Sequence, residues 1–227
     1  MPASAKTRPP ARRVHPRRTP PPRRKQAPWM WIGIGAVVVV ALIVAVVASQ
    51  GSDSAKKTAA GVQETRPVAV TGTPLPRFAA PPGAAGKLTP ELHGKSFAGT
   101  PVNVTHDGRP KLVLFVAHWC PHCQNEVPKL AQYFKGTPLP AGIDLVTVAT
   151  STSPDQPNYP PSAWLQAEGW KTPVMADSKD GTAGQAFGLS AFPYFVAVDA
   201  SGKVVSQKTG EITTDDFSQL LQQAMGK

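Results

Sequence analysis

Trp119-Cys120-Pro121-His122-Cys123 is the stretch on which the rest of this 227-residue chain depends. It contains the only two cysteines of the sequence, separated by two residues, and it follows an apolar run at 112–117. A disulfide at this spacing closes a very small loop, so it adds little chain entropy to the stability of a fold. An inert structural pair is therefore disfavoured, and redox chemistry explains the two cysteines better.

The residues around the cysteines predict which of the two sulfurs reacts first. Pro121 suits the first position of a helix, which places Cys120 at the N-cap and Cys123 one turn further on. Unpaired backbone N–H groups and the helix dipole converge there and favour the thiolate of Cys120. Protonated His122 would add positive charge close to this thiolate, and so would His118. We expect Cys120 to be the nucleophile and the less exposed Cys123 to resolve the mixed disulfide.

Metal binding by the same cysteines is the main alternative of a different class. Copper(I) binding by the thiolates of Cys120 and Cys123, with His118 as a candidate third ligand, is chemically sound. Zinc is less favoured because there is no second cysteine pair, and haem attachment would need a histidine where Gln124 follows Cys123. A disulfide oxidoreductase and a copper(I)-binding chaperone both stay open at this point, and no metal site is assigned.

The basic charge of the chain is concentrated in one N-terminal segment. Nine of the 24 Lys and Arg residues lie within residues 1–28, which contain no acidic residue. The other 15 basic residues face 14 acidic ones, so the remainder is almost neutral although the whole chain carries +10. A basic tail beside an apolar segment is more typical of a topology signal than of nucleic-acid binding. We expect residues 1–28 to be a disordered cytoplasmic tail, and we predict no nucleic-acid partner.

The apolar segment 29–48 is long enough to cross a membrane. It has no charged residue, and about 20 apolar residues in a helix span a ~30 Å hydrocarbon core. Val46-Val47-Ala48 before Ser49 also resembles a signal-peptide cleavage site, but the apolar stretch exceeds the usual length of about 7–15 residues. We therefore predict a single-pass plasma-membrane protein whose following chain is extracytoplasmic, where disulfides persist.

The remaining sequence divides into a linker and a folded domain. Residues 49–84 are rich in Pro, Ala and Thr and predict an extended extracytoplasmic linker. Residues 85–227 alternate strand-like runs with helical segments, and the apolar runs at 111–117 and 143–149 are typical of central strands covered on both faces. This pattern predicts an α/β fold with a central mixed sheet and helices on both faces.

Three separated motifs make residues 86–227 resemble the thioredoxin fold and, within it, the membrane-anchored TlpA/ResA-like thiol–disulfide oxidoreductases. The first is similar to the family's active-site helix: Trp119-Cys120-x-x-Cys123-x-x-Glu126-x-Pro128-x-Leu130. The second resembles the segment that leads to the family's cis-proline: Phe187-Gly188-Leu189-x-x-x-Pro193. The third resembles the family's next strand and turn: Phe195-Val196-Ala197-Val198-Asp199-x-x-Gly202. A lone Cys-x-x-Cys would be weak evidence, whereas these motifs in this order favour the fold strongly.

The resemblance implies roles for four residues besides the cysteines. Pro193 is expected to be cis beside the dithiol, and the backbone of Phe192 is expected to pair with an extended stretch of substrate. Trp119 is expected to pack beside the sulfurs. Glu126 matches a family glutamate that tunes thiol pKa values and relays protons, whereas an ordinary helix glutamate would face solvent or Lys129.

The Cys-Pro-His-Cys order departs from the family pattern, in which a proline commonly precedes the second cysteine. His122 holds that position here, and the order resembles the strongly oxidising disulfide-forming proteins of the bacterial envelope. A stabilised Cys120 thiolate stabilises the reduced form, so the oxidised form passes on its disulfide more readily. We predict a thiol–disulfide oxidoreductase with a slight preference for oxidation; disulfide reduction, for example in cytochrome c maturation, is the alternative.

This chemistry implies two kinds of partner and needs no organic cofactor. The clients are expected to be secreted or envelope proteins that contain cysteines. A membrane redox partner is expected to reset the dithiol, because the exchange must be reversed after each turnover.

Overall fold

The computed structural model of the chain describes residues 61–227. The predicted cytoplasmic tail (1–28), the predicted membrane helix (29–48) and the first part of the predicted linker lie outside these residues. None of the helices between residues 61 and 227 has the length and the apolar composition of a membrane span.

A mixed β-sheet forms the centre of the described structure. Its strands are β1 (Ala69–Thr71), β2 (Glu91–Lys95), β3 (Pro101–Val104), β4 (Lys111–Val116), β5 (Asp144–Ala149), β6 (Val174–Ala176), β7 (Tyr194–Val198) and β8 (Val204–Thr209). They are arranged in the order β1-β2-β6-β5-β4-β7-β8, and β3 pairs with β2. Strand β4 is parallel to β5 and antiparallel to β7, so the predicted mixed sheet is confirmed.

Helices cover the sheet, and the last of them begins with a side-chain cap. They are α1 (Pro121–Gly136), α2 (Pro161–Ala167), α3 (Thr182–Ala186) and α4 (Thr214–Ala224). At the start of α4, Thr213 Oγ1 accepts the Asp216 N–H at 3.0 Å, and the Asp216 carboxylate accepts the Thr213 N–H at 3.3 Å. This reciprocal pair satisfies two backbone donors that the first helical turn leaves free.

Two apolar cores lie on the two faces of the sheet, and β4 contributes to both. Leu112 and Leu114 enter the first core, which also contains the cysteines and the apolar faces of α1 and α4. Val113 and Phe115 enter the second core, where the Phe115 ring lies 5.4 Å from that of Phe187. All residues of β4 are buried, so the prediction of a strand covered on both faces is confirmed.

Residues 61–84 belong to the fold, which differs from the predicted linker over 49–84. Leu75 and Phe78 are buried in the second core, and strand β1 pairs with β2. The Leu75 N–H donates to Ala186 O and the Phe78 N–H donates to Gly188 O, both at 2.9 Å. Single apolar residues among prolines show no periodicity, but each fills a place in the core, so the folded domain starts earlier than residue 85.

Candidate active site

The two cysteines lie where the central strand β4 passes into α1. Cys120 is the N-cap residue and Pro121 the first residue of α1, as predicted. The Cys120 N–H donates to Ala117 O at 3.1 Å, and the Gln124 N–H donates to Cys120 O at 3.0 Å, so the turn is held on both sides. Both cysteines are free thiols; Cys120 is 7% exposed and Cys123 is 0% exposed. Of the two sulfurs, that of Cys120 is therefore the accessible one.

Burial makes Cys123 a weak acid. Loss of hydration raises the pKa of the Cys123 thiol far above its usual range, and a backbone hydrogen bond at Ala117 offsets only part of this effect. Cys120 and Glu126 raise the pKa further, since both can carry negative charge close by. Deprotonation of Cys123 therefore requires a nearby group that can accept its proton.

Glu126 is a buried carboxyl on the same helix as Cys123. Its side chain is fully buried, and Oε2 accepts from Lys129 Nζ at 2.6 Å and from the Ile212 N–H at 3.3 Å. Oε1 has no hydrogen-bond partner within the described part of the chain. Burial raises the pKa of Glu126, although Lys129 and the Ile212 N–H act in the opposite direction. The side chain does not face solvent, although it does pair with Lys129 as an ordinary helix glutamate would, and Cys123 lies one helical turn away on the same face.

His122 lies on the surface and is paired with a carboxylate that the sequence did not suggest. Its side chain is 66% exposed, and Nδ1 lies 2.7 Å from Glu211 Oε1. Asn125 Nδ2 donates to the same oxygen at 3.2 Å. These contacts, His122 first, lower the pKa of Glu211. The positive charge predicted for His122 is thus partly offset by Glu211, which is 89 residues away in the sequence.

His118 has a different role from the one predicted. It is buried, with Nδ1 2.6 Å from Pro157 O and Nε2 accepting the Ser153 N–H at 3.2 Å. Because a carbonyl can only accept and a backbone N–H can only donate, these partners assign a neutral ring with its proton on Nδ1. His118 therefore supplies no positive charge to Cys120, and neither ring nitrogen is free to bind copper. Within residues 61–227, no group of three or more His, Cys, Asp or Glu side chains is arranged to hold a metal ion.

Two aromatic residues, one of them joined to a cis-proline, pack against the core that contains the cysteines. The Phe192–Pro193 peptide bond is cis, as the resemblance implies. The Trp119 and Phe192 rings meet edge to face, with centroids 5.8 Å apart and planes at 83°, and both pack against the core that contains the cysteines. Trp119 Nε1 donates to Ser151 O at 2.8 Å, which fixes the indole ring. Trp119 and Phe192 are thus brought together at the core that contains the dithiol, and the cis bond joins Phe192 to Pro193.

A buried network of hydrogen bonds stabilises the cis-proline loop. Tyr194 Oη donates to Phe187 O at 3.0 Å and accepts from Gln207 Nε2, while Gln207 Oε1 accepts the Ala84 N–H at 2.7 Å. Burial raises the pKa of Tyr194, so its hydroxyl stays protonated as this donor. Nothing local in the sequence marks Tyr194 or Gln207, because their contacts run over 7 to 123 residues.

A helix N-cap thiol, a buried second thiol and an adjoining cis-proline loop, on an α/β sheet of thioredoxin type, define a thiol–disulfide oxidoreductase. The chain belongs to the Redoxin family, whose sequence model matches residues 71–223. The fold and the enzyme class predicted from the sequence are therefore confirmed.

Individual relatives carry the same chemistry in their names. Sporulation thiol-disulfide oxidoreductase A of Bacillus subtilis is 22% identical over 125 residues, which cover 55% of this chain and 74% of that protein. A thiol:disulfide interchange protein DsbE homolog of Paracoccus denitrificans is 27% identical over 108 residues, which cover 48% of this chain and 55% of that protein. The matched region thus spans about half of the Paracoccus protein.

Solved structures show the same fold. A thioredoxin-family thiol:disulfide interchange protein of Chlorobium tepidum superposes with a TM-score of 0.50 at 26% identity, covering 65% of this chain and 98% of that one. StoA of Bacillus subtilis superposes with a TM-score of 0.50 at 18% identity, covering 57% of this chain and 95% of that one.

Proposed function

We propose that this chain is a membrane-anchored extracytoplasmic enzyme that exchanges a Cys120–Cys123 disulfide with cysteines of envelope or secreted proteins. The proposed anchor is residues 29–48, and the proposed N-terminus is cytoplasmic. The unequal exposure of the two sulfurs is the observation that supports this best, since Cys120 presents surface at the helix N-cap and Cys123 presents none. Such a pair can form one mixed disulfide with a partner and then release it.

In the oxidising direction, a substrate thiolate attacks the sulfur of Cys120. A bond forms between these two sulfurs, the Cys120–Cys123 bond breaks, and Cys123 leaves as a thiolate that takes up a proton. The second substrate thiolate then attacks the substrate sulfur in the mixed disulfide and releases Cys120 as a thiolate. Two electrons pass from the substrate to the protein, and the substrate keeps the new disulfide.

In the reducing direction, the same steps run backwards. The Cys120 thiolate attacks a substrate disulfide and releases one substrate thiolate. Cys123 then gives up its proton and attacks Cys120, which closes the internal disulfide and releases the second substrate thiolate. A membrane redox partner must return the protein to its starting state in either direction.

Glu126 is proposed to carry the proton of Cys123. Its pKa is raised by burial and that of Cys123 is raised too, so a proton can pass between the two groups while both stay inside the core. Phe192 and Pro193 are proposed to present the backbone that pairs with an extended stretch of substrate, and Trp119 is proposed to cover the sulfurs.

The proposed direction is a slight preference for oxidation. The N-cap position and His122 both favour the Cys120 thiolate and therefore the reduced protein, which makes the oxidised protein the better donor of a disulfide. Pairing of His122 with Glu211 weakens this preference, so reduction of client disulfides by a TlpA/ResA-like enzyme is the second candidate.

Trapping of mixed disulfides tests the proposed chemistry. Cys123→Ser should accumulate a disulfide between Cys120 and a client protein, because nothing resolves it. Cys120→Ser is the matched control and should accumulate none. Equal amounts of trapped client in both variants, or none in Cys123→Ser, would contradict the proposed roles of the two cysteines.

Labelling of intact cells tests the proposed location. A membrane-impermeant maleimide should modify Cys120 of the Cys123→Ser variant from outside the plasma membrane after brief reduction. Modification that requires cell lysis would place the dithiol on the wrong side of the membrane. The reduction potential and the resting redox state of the pair then decide the direction, and a mostly reduced pair of very low potential would favour the reductase.

A further inference from the structure

We propose that His118 is a positioning residue that makes the loop 151–159 a working part of the substrate site. This inference deepens the proposed exchange reaction and rests on it. His118 lies two residues before Cys120 but takes no part in the electron transfer described above. It is nevertheless 1% exposed and makes hydrogen bonds in three directions.

The imidazole ring fastens the loop at two points. Nδ1–H donates to Pro157 O at 2.6 Å, and Nε2 accepts the Ser153 N–H at 3.2 Å. The Tyr159 ring adds an edge contact, with its centroid 5.9 Å from that of His118. Two hydrogen bonds to backbone groups four residues apart restrain the curve of the loop, which connects β5, ending at Ala149, to α2, beginning at Pro161.

The backbone carbonyl of His118 connects the same loop to the active-site helix. It accepts from Gln124 Nε2, within α1, at 3.0 Å and from Asn158 Nδ2, within the loop, at 3.4 Å. One residue thus links α1 and the loop through both its ring and its backbone. A change at the ring is transmitted to groups within one helical turn of the cysteines.

The loop in turn fixes Trp119. Ser151 adopts φ of +52°, in the left-handed region that non-glycine residues rarely occupy, and its carbonyl accepts from Trp119 Nε1 at 2.8 Å. Trp119 then meets Phe192, which precedes the cis-proline. The contacts therefore run without a break from the loop through Trp119 to the segment proposed to bind the substrate backbone.

A consequence of this arrangement is discrimination by substrate size. A small thiol such as glutathione needs only access to Cys120, which the N-cap provides. A polypeptide must also lie along Phe192 and over Trp119, so its binding depends on whether the loop holds the indole ring in place. His118 therefore affects the binding of polypeptide substrates more than the sulfur chemistry itself.

His118→Asn tests the proposal in the full-length chain. Asparagine keeps a donor near the position of Nδ1 but has no acceptor at that of Nε2. Oxidised protein is mixed with reduced glutathione or with a short reduced two-cysteine peptide. Loss of one hydrogen bond should raise KM for the peptide by about fivefold, while kcat for the peptide and the rate with glutathione change by less than about twofold.

His93→Asn is the matched control, since His93 is an exposed histidine on β2, and both substrates should react normally with it. An unchanged peptide KM in His118→Asn, or an equal loss with both substrates, would overturn the proposal. If the wild type exchanges with neither substrate, the proposed exchange reaction fails instead.

Two measurements on the folded protein keep the inference testable if His118→Asn is poorly stable. Nitrogen-15 NMR of the wild type should show the His118 proton on Nδ1, and the Ser153 amide should exchange slowly with solvent. A proton on Nε2, or fast exchange at Ser153, would show that His118 does not hold the loop.

Discussion

Lys129 Nζ lies 2.6 Å from Oε2 of the buried Glu126, and it also donates to Ile212 O at 2.5 Å. The lysine side chain is 35% exposed while the carboxyl is fully buried, so the ion pair reaches from the surface into the core behind Cys123. The charge on Glu126 is therefore balanced from one side only, because Oε1 has no partner in the described residues.

Removal of Lys129 should destabilise the fold in a pH-dependent way. Burial raises the pKa of Glu126 above its unfolded value, so the folded state loses stability as pH rises through the folded-state pKa. Lys129→Met raises this pKa further, and the free energy of unfolding should fall by about 2 kcal/mol at pH 8 and less at pH 5. This loss is smaller than the ~3–5 kcal/mol expected when one partner of a fully buried ion pair is removed, because Lys129 is partly exposed. Urea unfolding at pH 5 and pH 8 measures the change in the free energy of unfolding, and an equal loss at both pH values would contradict this prediction. Lys135→Met, in the last turn of α1, is the control.

Replacement of Glu126 should slow the step in which Cys123 reacts. Glu126→Gln keeps the shape but cannot accept a proton, so resolution of a preformed mixed disulfide should slow by about 100-fold near neutral pH. Attack by Cys120 itself should be little affected. Stopped-flow kinetics of both steps provide the measurement, with Glu168→Gln, at the half-buried C-cap of α2, as the control. Equal slowing of the two steps would show that Glu126 acts on the fold rather than on the proton.

The His122–Glu211 pair should set part of the reduction potential. His122→Ala removes a positive charge near the Cys120 thiolate, so the potential should fall by about 20 mV, on a scale where ~30 mV corresponds to ~1.4 kcal/mol. Adding Glu211→Gln to His122→Ala removes a negative charge that then has only Asn125 as a hydrogen-bond partner, so the potential should rise again.

Equilibration with a glutathione buffer measures the potential of each of the four proteins in this cycle. Additive effects of the two substitutions would mean that the 2.7 Å contact between His122 and Glu211 carries no coupling in solution.

A glycine in the cis-proline loop should be sensitive to a single methyl group. Gly188 has φ of +71°, and a Cβ there would lie 2.2 Å from Pro76 O. Gly169 has the same φ of +71° with no atom within 4 Å of such a Cβ. Gly169→Ala should cost about 1–2 kcal/mol from backbone strain alone, whereas Gly188→Ala should cost more, since Pro76 must also move. Thermal unfolding compares the stability of the two variants. Equal losses of stability would show that residues 75–78 do not pack closely against the loop.

Local patterns predicted the elements that carry the sulfurs. The run 111–117 and the proline after Cys120 are sufficient to place β4, the N-cap and the start of α1, because these features depend on neighbours in sequence. The cis state of Pro193 required the resemblance, since an isolated X–Pro bond is usually trans. The difference in exposure between Cys120 and Cys123 also followed from their positions within one helical turn.

Contacts between distant segments could not be predicted in this way. Glu211 reaches His122 across 89 residues, and Pro157 binds His118 across 39. From the sequence alone, a histidine can be interpreted as a positive charge, a metal ligand or a structural residue. Only its hydrogen-bond partners in the fold show which of these roles it has. Leu75 and Phe78 are similar cases, because two apolar residues in a proline-rich segment show neither helical nor strand periodicity.

The packing of residues 61–84 determines how this protein can be shortened. A truncation that begins at residue 85, where the composition changes, would delete β1 and leave the carbonyls of Ala186 and Gly188 without their partners. It would also uncover the apolar pocket that Leu75 and Phe78 fill, on the side of the sheet that supports the cis-proline loop. A soluble fragment made for biochemistry should therefore retain residues 61–84, since the redox unit is not separable from the segment that precedes it.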